Sequence, residues 1–203
     1  MTKKIILDAF FYLAVPLLMW NLFRENLGDY HTILYGMLPA VIYTIVVAII
    51  QKEWNVTGLF FLSIISMNFL FNLLSKTADQ ELWNGVYMSI ISFSFYLVTI
   101  LIRRPIGMYF FIDYAYAKGV PRKVSKALYS SAENAHFFIK FTLFLMAREV
   151  IVGATKSFLI FDKGVAAFNT IQITSSVLGY VFTGLTVLYV IHILKKITIN
   201  DHN

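Results

Sequence analysis

Residues 30–50 read YHTILYGMLPAVIYTIVVAII, a run without a single Lys, Arg, Asp or Glu. Coiled as an α-helix at 1.5 Å per residue, it is about 31 Å long, the thickness of a bilayer's hydrocarbon core. Working outward, comparable apolar stretches occupy roughly 5–23, 54–75, 82–102 and 165–194. A sixth, 137–160, is interrupted at its centre by Arg148 and Glu149. Across 203 residues the chain is 59% hydrophobic and 14% charged, whereas a soluble domain carries about 25% charged residues. The pattern predicts an all-α polytopic membrane bundle of about six transmembrane helices, forming a single integral membrane domain over 1–203.

The net charge of +6 would suggest nucleic acid in a soluble protein. Here its distribution reads as orientation, and no nucleic-acid partner is expected. Taking alternate connections, one side holds Lys3, Lys4, Lys52, Arg103, Arg104, Lys118, Arg122, Lys123, Lys126, Lys195 and Lys196. The other holds Arg24, Lys76, Lys156 and Lys163, while Lys140 and Arg148 fall inside the fifth span. The positive-inside rule then places both termini in the cytoplasm. Asp8 interrupts the first apolar run and no small-residue cleavage site follows it, so that run is read as an uncleaved helix rather than a signal peptide. The sequon at Asn55 falls on the predicted cytoplasmic side and is taken as fortuitous.

The connection 103–136 is the longest and holds six of the eleven basic residues on the predicted cytoplasmic side. Pro105 suits a first helical turn. Tyr109, Phe110, Phe111, Tyr114 and Tyr116 surround Asp113, which predicts one interfacial amphipathic helix near 105–117. After Gly119-Val120-Pro121, a basic helix is expected from Arg122, with Val124, Ala127, Leu128, Ser131 and Ala135 on one face, continuing into the fifth span. Arg103, Arg104, Lys118, Arg122, Lys123 and Lys126 make this connection a candidate surface for anionic lipid headgroups or a protein partner, or a plain cytoplasmic anchor.

Charges at mid-membrane need compensation inside the protein. Arg148 and Glu149 diverge by about 100° around their helix, which predicts a separate partner for each, with Glu149 sharing a face with Gly153 and Lys156. Polar edges recur at helical spacing on three further spans: Asn68, Asn72 and Ser75; Gly85, Ser89, Ser92, Tyr96 and Thr99; and Asn169, Gln172, Ser176, Gly179, Thr183 and Thr186. They could line a midplane binding site built from Arg148, Glu149, Asn68, Asn72, Asn169 and Gln172. The alternative is close helix packing through small residues such as Ser175, Gly179 and Thr183.

Enzyme chemistry is not expected. The chain has no cysteine, so thiol catalysis and thiolate metal sites are excluded. His31, His136, His192 and His202 stand singly, without the paired spacing of a metal site. Gly153-Ala-Thr-Lys156-Ser157 lacks the first glycine of a phosphate loop, and no Gly-x-Ser-x-Gly nucleophile turn occurs. Neither a metal nor a cofactor is expected.

Met37-Leu38-Pro39-Ala40 with Tyr43, the turn Lys52-Glu53, Arg103-Arg104-Pro105-Ile106-Gly107 and the central Arg148 together resemble the VC0807 family of bacterial multi-pass membrane proteins. That family is itself distantly similar to the intracellular septation protein A family. The resemblance implies a protein of the bacterial cytoplasmic membrane concerned with envelope upkeep, and it carries over no catalytic or binding residue. The reading favoured by the sequence is therefore a non-catalytic envelope protein that organises lipids or a membrane-protein partner, which a second copy of the chain could also supply. The alternative is a small solute or ion transporter with a midplane polar site.

Overall fold

In a computed structural model, residues 7, 10–51 and 56–200 are described, and they are helical with no strand. The expectations for Lys3, Lys4, Asp8, Lys52, Glu53, Asn55 and His202 lie outside the described residues. Three stretches are long and apolar enough to cross a membrane: Val56–Leu74, Ala78–Leu101 and Ala135–Ile197.

A π-helical turn, Phe10–Ala14, leads into α1 (Val15–Gln51), which breaks at Gly28. Its φ of 74° and ψ of 162° are open in practice only to glycine, and the two arms fold back on each other there. A Cβ placed on Gly36 would lie 3.3 Å from Met19 Cβ, and Phe11 stacks on Tyr43 at 4.7 Å between ring centroids. Next come α2 (Val56–Leu74) and α3 (Ala78–Leu101). The two short helices α4 (Ile106–Ala117) and α5 (Arg122–Tyr129) follow. The long run Ala135–Ile197 is a second hairpin. It consists of α6 (Ala135–Lys163), a 3-10 turn Gly164–Ala167 entered through a positive φ of 55° at Gly164, and α7 (Phe168–Asn200). Phe141 stacks on Tyr189 and Phe144 meets Phe182, each pair within 6 Å, so α6 and α7 run antiparallel.

Two apolar cores form, one towards each end of α6. At its start, Phe111, Tyr129, Phe138, Phe141 and Ile193 bring together α4, α5, α6 and α7. At its finish, Trp20, Ile33, Leu82, Val86, Ile160 and Phe168 join both arms of α1 to α3, α6 and α7. Between the two cores the facing residues are small, polar or charged.

Three expectations need correction. The span expected at 82–102 begins at Ala78, because Thr77 caps it: Thr77 Oγ1 accepts the Gln80 N–H at 3.2 Å, and Gln80 Oε1 accepts the Lys76 N–H at 2.8 Å. The basic helix does not continue into the fifth span. It stops at Tyr129, and the Ser131 hydroxyl and the Asn134 amide donate to the Leu128 carbonyl, competing with further helix. Its packed face is Ser125, Leu128 and Tyr129; Val124 and Ala127 are exposed. The aromatic helix α4 is set into the bundle rather than laid on its surface. Seven of its twelve residues are buried, and only its outer tyrosines, Tyr114 and Tyr116, are exposed among its aromatics.

Gly107 permits that docking. Its N–H donates to Thr142 Oγ1 at 3.1 Å, and a Cβ there would lie 2.7 Å from Phe141 Cδ1 and 2.9 Å from Thr142 Oγ1. Gly179 on α7 has nothing within 4 Å of its Cβ position. Gly107→Ala should therefore destabilise the protein by about 2 kcal/mol through overpacking. Gly179→Ala should leave stability unchanged or raise it by up to about 1 kcal/mol. Thermal unfolding of the two variants in the same detergent checks the contrast.

Candidate functional site

The most extensive helix pair is α3 with α6. Its closeness comes from Gly85, Ser89 and Ser92 on one side and Gly153 on the other. A Cβ on Gly153 would sit 3.2 Å from Ser89 Cβ. One turn further along each helix in opposite directions, Lys156 reaches into the space that Gly85 leaves, its Nζ 3.0 Å from a Cβ placed there. The polar edge read on this span thus faces α6: Ser89, Ser92, Tyr96 and Thr99 are all buried.

Arg148 and Glu149 pair with each other, Nη1 to Oε1 at 2.6 Å, and do not take separate partners. The guanidinium arm is long enough to cross the angular step between adjacent positions. It brings its charge to the carboxylate, which lies in the interface with 9% of its side chain exposed against 39% for Arg148. The Glu149 carboxylate also meets the Ser89 hydroxyl and the field of Lys156. The buried Tyr96 lies within the field of both Glu149 and Arg148. Glu149 is fourteen residues from each end of α6, about 21 Å along the helix either way. Beside it, a groove of about 260 Å³ is lined by Ser89, Phe93, Glu149, Gly153 and Ser157 and opens between the exposed Ile90 and Val150.

The other candidates sit elsewhere. Asn72 donates to Asn68 Oδ1 at 3.2 Å and to Met37 Sδ at 3.1 Å. Asn84 donates to Asn72 Oδ1 at 3.2 Å and to Ser75 Oγ at 2.6 Å. This chain of amides ties α1, α2 and α3. Gln172 donates to the Tyr12 carbonyl at 2.7 Å and Asn169 to Asn21 Oδ1 at 2.9 Å, joining α7 to the first arm. Asn68, Asn72 and Gln172 share a second cavity of about 220 Å³ with Tyr12, Pro16 and Met37. The six expected residues therefore do not form one site: Arg148 and Glu149 stand together, Asn68, Asn72 and Gln172 share the second cavity, and Asn169 is on Asn21. Further along α7, Gly179 has open space at its Cβ position and exposed Thr183 donates to its own helix at the Gly179 carbonyl.

Arg103, Arg104, Lys118, Arg122, Lys123 and Lys126 are all exposed. Two of them also shape the chain. Arg103 takes φ 57° where α3 ends, and its N–H and that of Arg104 donate to the Ile100 and Thr99 carbonyls, each at 2.9 Å. That is a Schellman close with arginine in the position usually given to glycine. Arg122 pairs with Asp113 at 3.3 Å and lies over the Tyr116 ring. Asp113 also accepts the Thr57 N–H at 2.9 Å and hydroxyl at 2.8 Å, which links α2, α4 and α5. Asp113 and Asn84 were not singled out as functional in the sequence. A lone acid among aromatics is the signal that marks the first.

No family model matches the chain, and no curated protein and no solved structure matches it.

Removing one member of the Arg148–Glu149 pair leaves the other charge embedded without its partner. Arg148→Gln should cost about 3 kcal/mol, whereas Arg148→Gln with Glu149→Gln should cost less than either single change. Thermal unfolding of the three variants reads the coupling directly.

Proposed function

We propose that the chain is a six-span protein of the bacterial cytoplasmic membrane, both termini in the cytoplasm, that carries a small solute or ion past a site built from Arg148, Glu149, Lys156 and Ser89. The two arms of α1, together with α2, α3, α6 and α7, supply six antiparallel segments, and the uneven distribution of basic residues supplies the orientation. The observation that carries the functional reading is the placement of Arg148 and Glu149. They sit at the middle of α6, beside a groove, on an interface where α3 offers hydroxyls and almost no bulk. Ionisable groups at that depth mark ion and substrate pathways more often than they serve packing. The resemblance to the VC0807 family adds the bacterial membrane setting and no activity.

A second reading, the organising role favoured by the sequence, draws on a different observation. Arg103, Arg104, Lys118, Lys123 and Lys126 are exposed together on the α3 end, α4 and α5, as a surface for anionic lipid headgroups or a protein partner would require.

The absence of cysteine gives a clean discrimination. Single cysteines at Ser89, Gly153 and Ser157 are to be challenged, in intact cells and in inverted vesicles, with a small membrane-impermeant thiol reagent. Labelling at Ser157 and Ser89 from at least one face is the expected result. If none of the three reacts from either face, the α3–α6 interface is dry and the transport reading falls in favour of the basic surface.

A further inference from the structure

Three acids are buried among the described residues: Glu81, Asp113 and Glu149. Two are fully engaged, Asp113 by Thr57 and Arg122 and Glu149 by Arg148 and Ser89. Glu81 is different. It is 2% exposed, and neither Oε1 nor Oε2 has a hydrogen-bond partner. It stands in the first turn of α3, on the face that carries Ala78, Leu82 and Gly85 towards the second apolar core.

Charged groups on the neighbouring elements are spoken for or turned outward. Arg24 and Asp29 of α1 pair with each other. Lys156 of α6 lies against Gly85 and within the field of Glu149. Asp162 and Lys163 at the end of α6 are exposed, as are Glu25 and His31 of α1, Lys76 just before α3 and Asp79 on α3 itself. On α4, Asp113 is held by Thr57 and Arg122. His192, Lys195 and Lys196 of α7 are exposed near its far end, and α2 and the 3-10 turn carry no charge. Among the described residues no cation is placed to neutralise Glu81. An ionised carboxylate in such a setting is untenable, and an acid with no partner is not a packing device, because buried polar groups that stabilise a fold are hydrogen-bonded.

We propose that Glu81 is a proton-binding site. The carboxyl holds its proton at rest as a neutral acid and exchanges it with the medium at the end of the bundle where Gly28 and Gly164 turn the chain. The path is short: Glu81 is three residues beyond the start of α3, about 5 Å along the helix. Its chain neighbours Asp79 and Gln80 line an open groove with Ser75, Asn84 and Tyr87. The ligand is a proton rather than a metal cation, because among the described residues no cluster of three or more acids or histidines stands together to hold a metal. This site is separate from Arg148 and Glu149 and does not depend on the transport reading.

The test uses the full chain in membrane vesicles and N,N′-dicyclohexylcarbodiimide, an apolar reagent that reacts with protonated carboxyls. The acid O–H adds across one C=N bond, and the adduct rearranges to an N-acylurea with nothing leaving, so the labelled peptide gains the reagent's whole mass. Peptide mass spectrometry should find that adduct on Glu81. Its rate should fall about tenfold per pH unit once the medium is alkaline enough to strip the proton. Glu81→Gln should reach the membrane at normal level and show no adduct at that position. An unlabelled Glu81 in the wild-type chain, under conditions that label other carboxyls, would overturn the proposal. So would a labelling rate indifferent to pH. Protection by sodium at constant pH would also overturn it, by making the ligand a metal cation. None of these outcomes bears on thiol labelling at Ser89 or Ser157.

Discussion

An ion pair in the middle of an apolar helix is the constraint from which the remaining arrangement follows. A charge in an apolar setting is costly unless it is paired, and the protein shelters the Glu149 carboxylate by bringing α3 against α6. Contact this close requires Gly85 and Ser89 opposite Lys156 and Gly153, since larger side chains would hold the helices apart and uncover Glu149. Once that pair is set, the chain can close an aromatic core towards one end of the interface and a second core, anchored by Trp20 on Phe168, towards the other. Both hairpins then become necessary. The turn at Gly164 returns α7 along α6, and the turn at Gly28 places α1 where Trp20 and Ile33 can cover α3 and α7.

The long connection after α3 is part of this scaffold. Arg103 reverses the chain, Gly107 lets α4 approach Phe141 and Thr142, and Asp113 binds Thr57 and Arg122 at once. That last linkage couples the basic surface to the bundle, because Arg122 belongs to both. Arg122 thus ties α5, with Lys123 and Lys126, through Asp113 to α2 and α4.

Much of this was legible in the sequence because apolar length and charge depth are one-dimensional signals. The helices, the singular character of Arg148 and Glu149, and the polar edge Gly85, Ser89, Ser92, Tyr96 and Thr99 all follow from counting along the chain. Partner choice does not. Angular divergence argued against Arg148 meeting Glu149, yet the reach of a flexible guanidinium decides that contact. The edge on α7 was read as one seam, but its residues diverge in use. Asn169 and Gln172 join the first hairpin while Thr183 satisfies itself within its own helix. Aromatic richness near 106–116 suggested the membrane surface, and only the missing side chain of Gly107 distinguishes a docked helix from a floating one. Glu81 escaped notice because the span was begun at Leu82, although Thr77 and Gln80 already mark an earlier helix start.

The register of α3 on α6 carries the account, and cross-linking in this naturally cysteine-free chain measures it most directly. Ser89→Cys with Gly153→Cys places two Cβ atoms about 3.2 Å apart, within a few tenths of an ångström of disulfide range. Mild oxidation in membranes should join the two peptides within one molecule almost completely. The control pair, Ser94→Cys with Gly153→Cys, whose first member is exposed on another face of α3, should remain reduced. Failure of the first pair, or cross-linking of the second in its place, would contradict the α3–α6 interface and the assignment of Arg148 and Glu149 that depends on it.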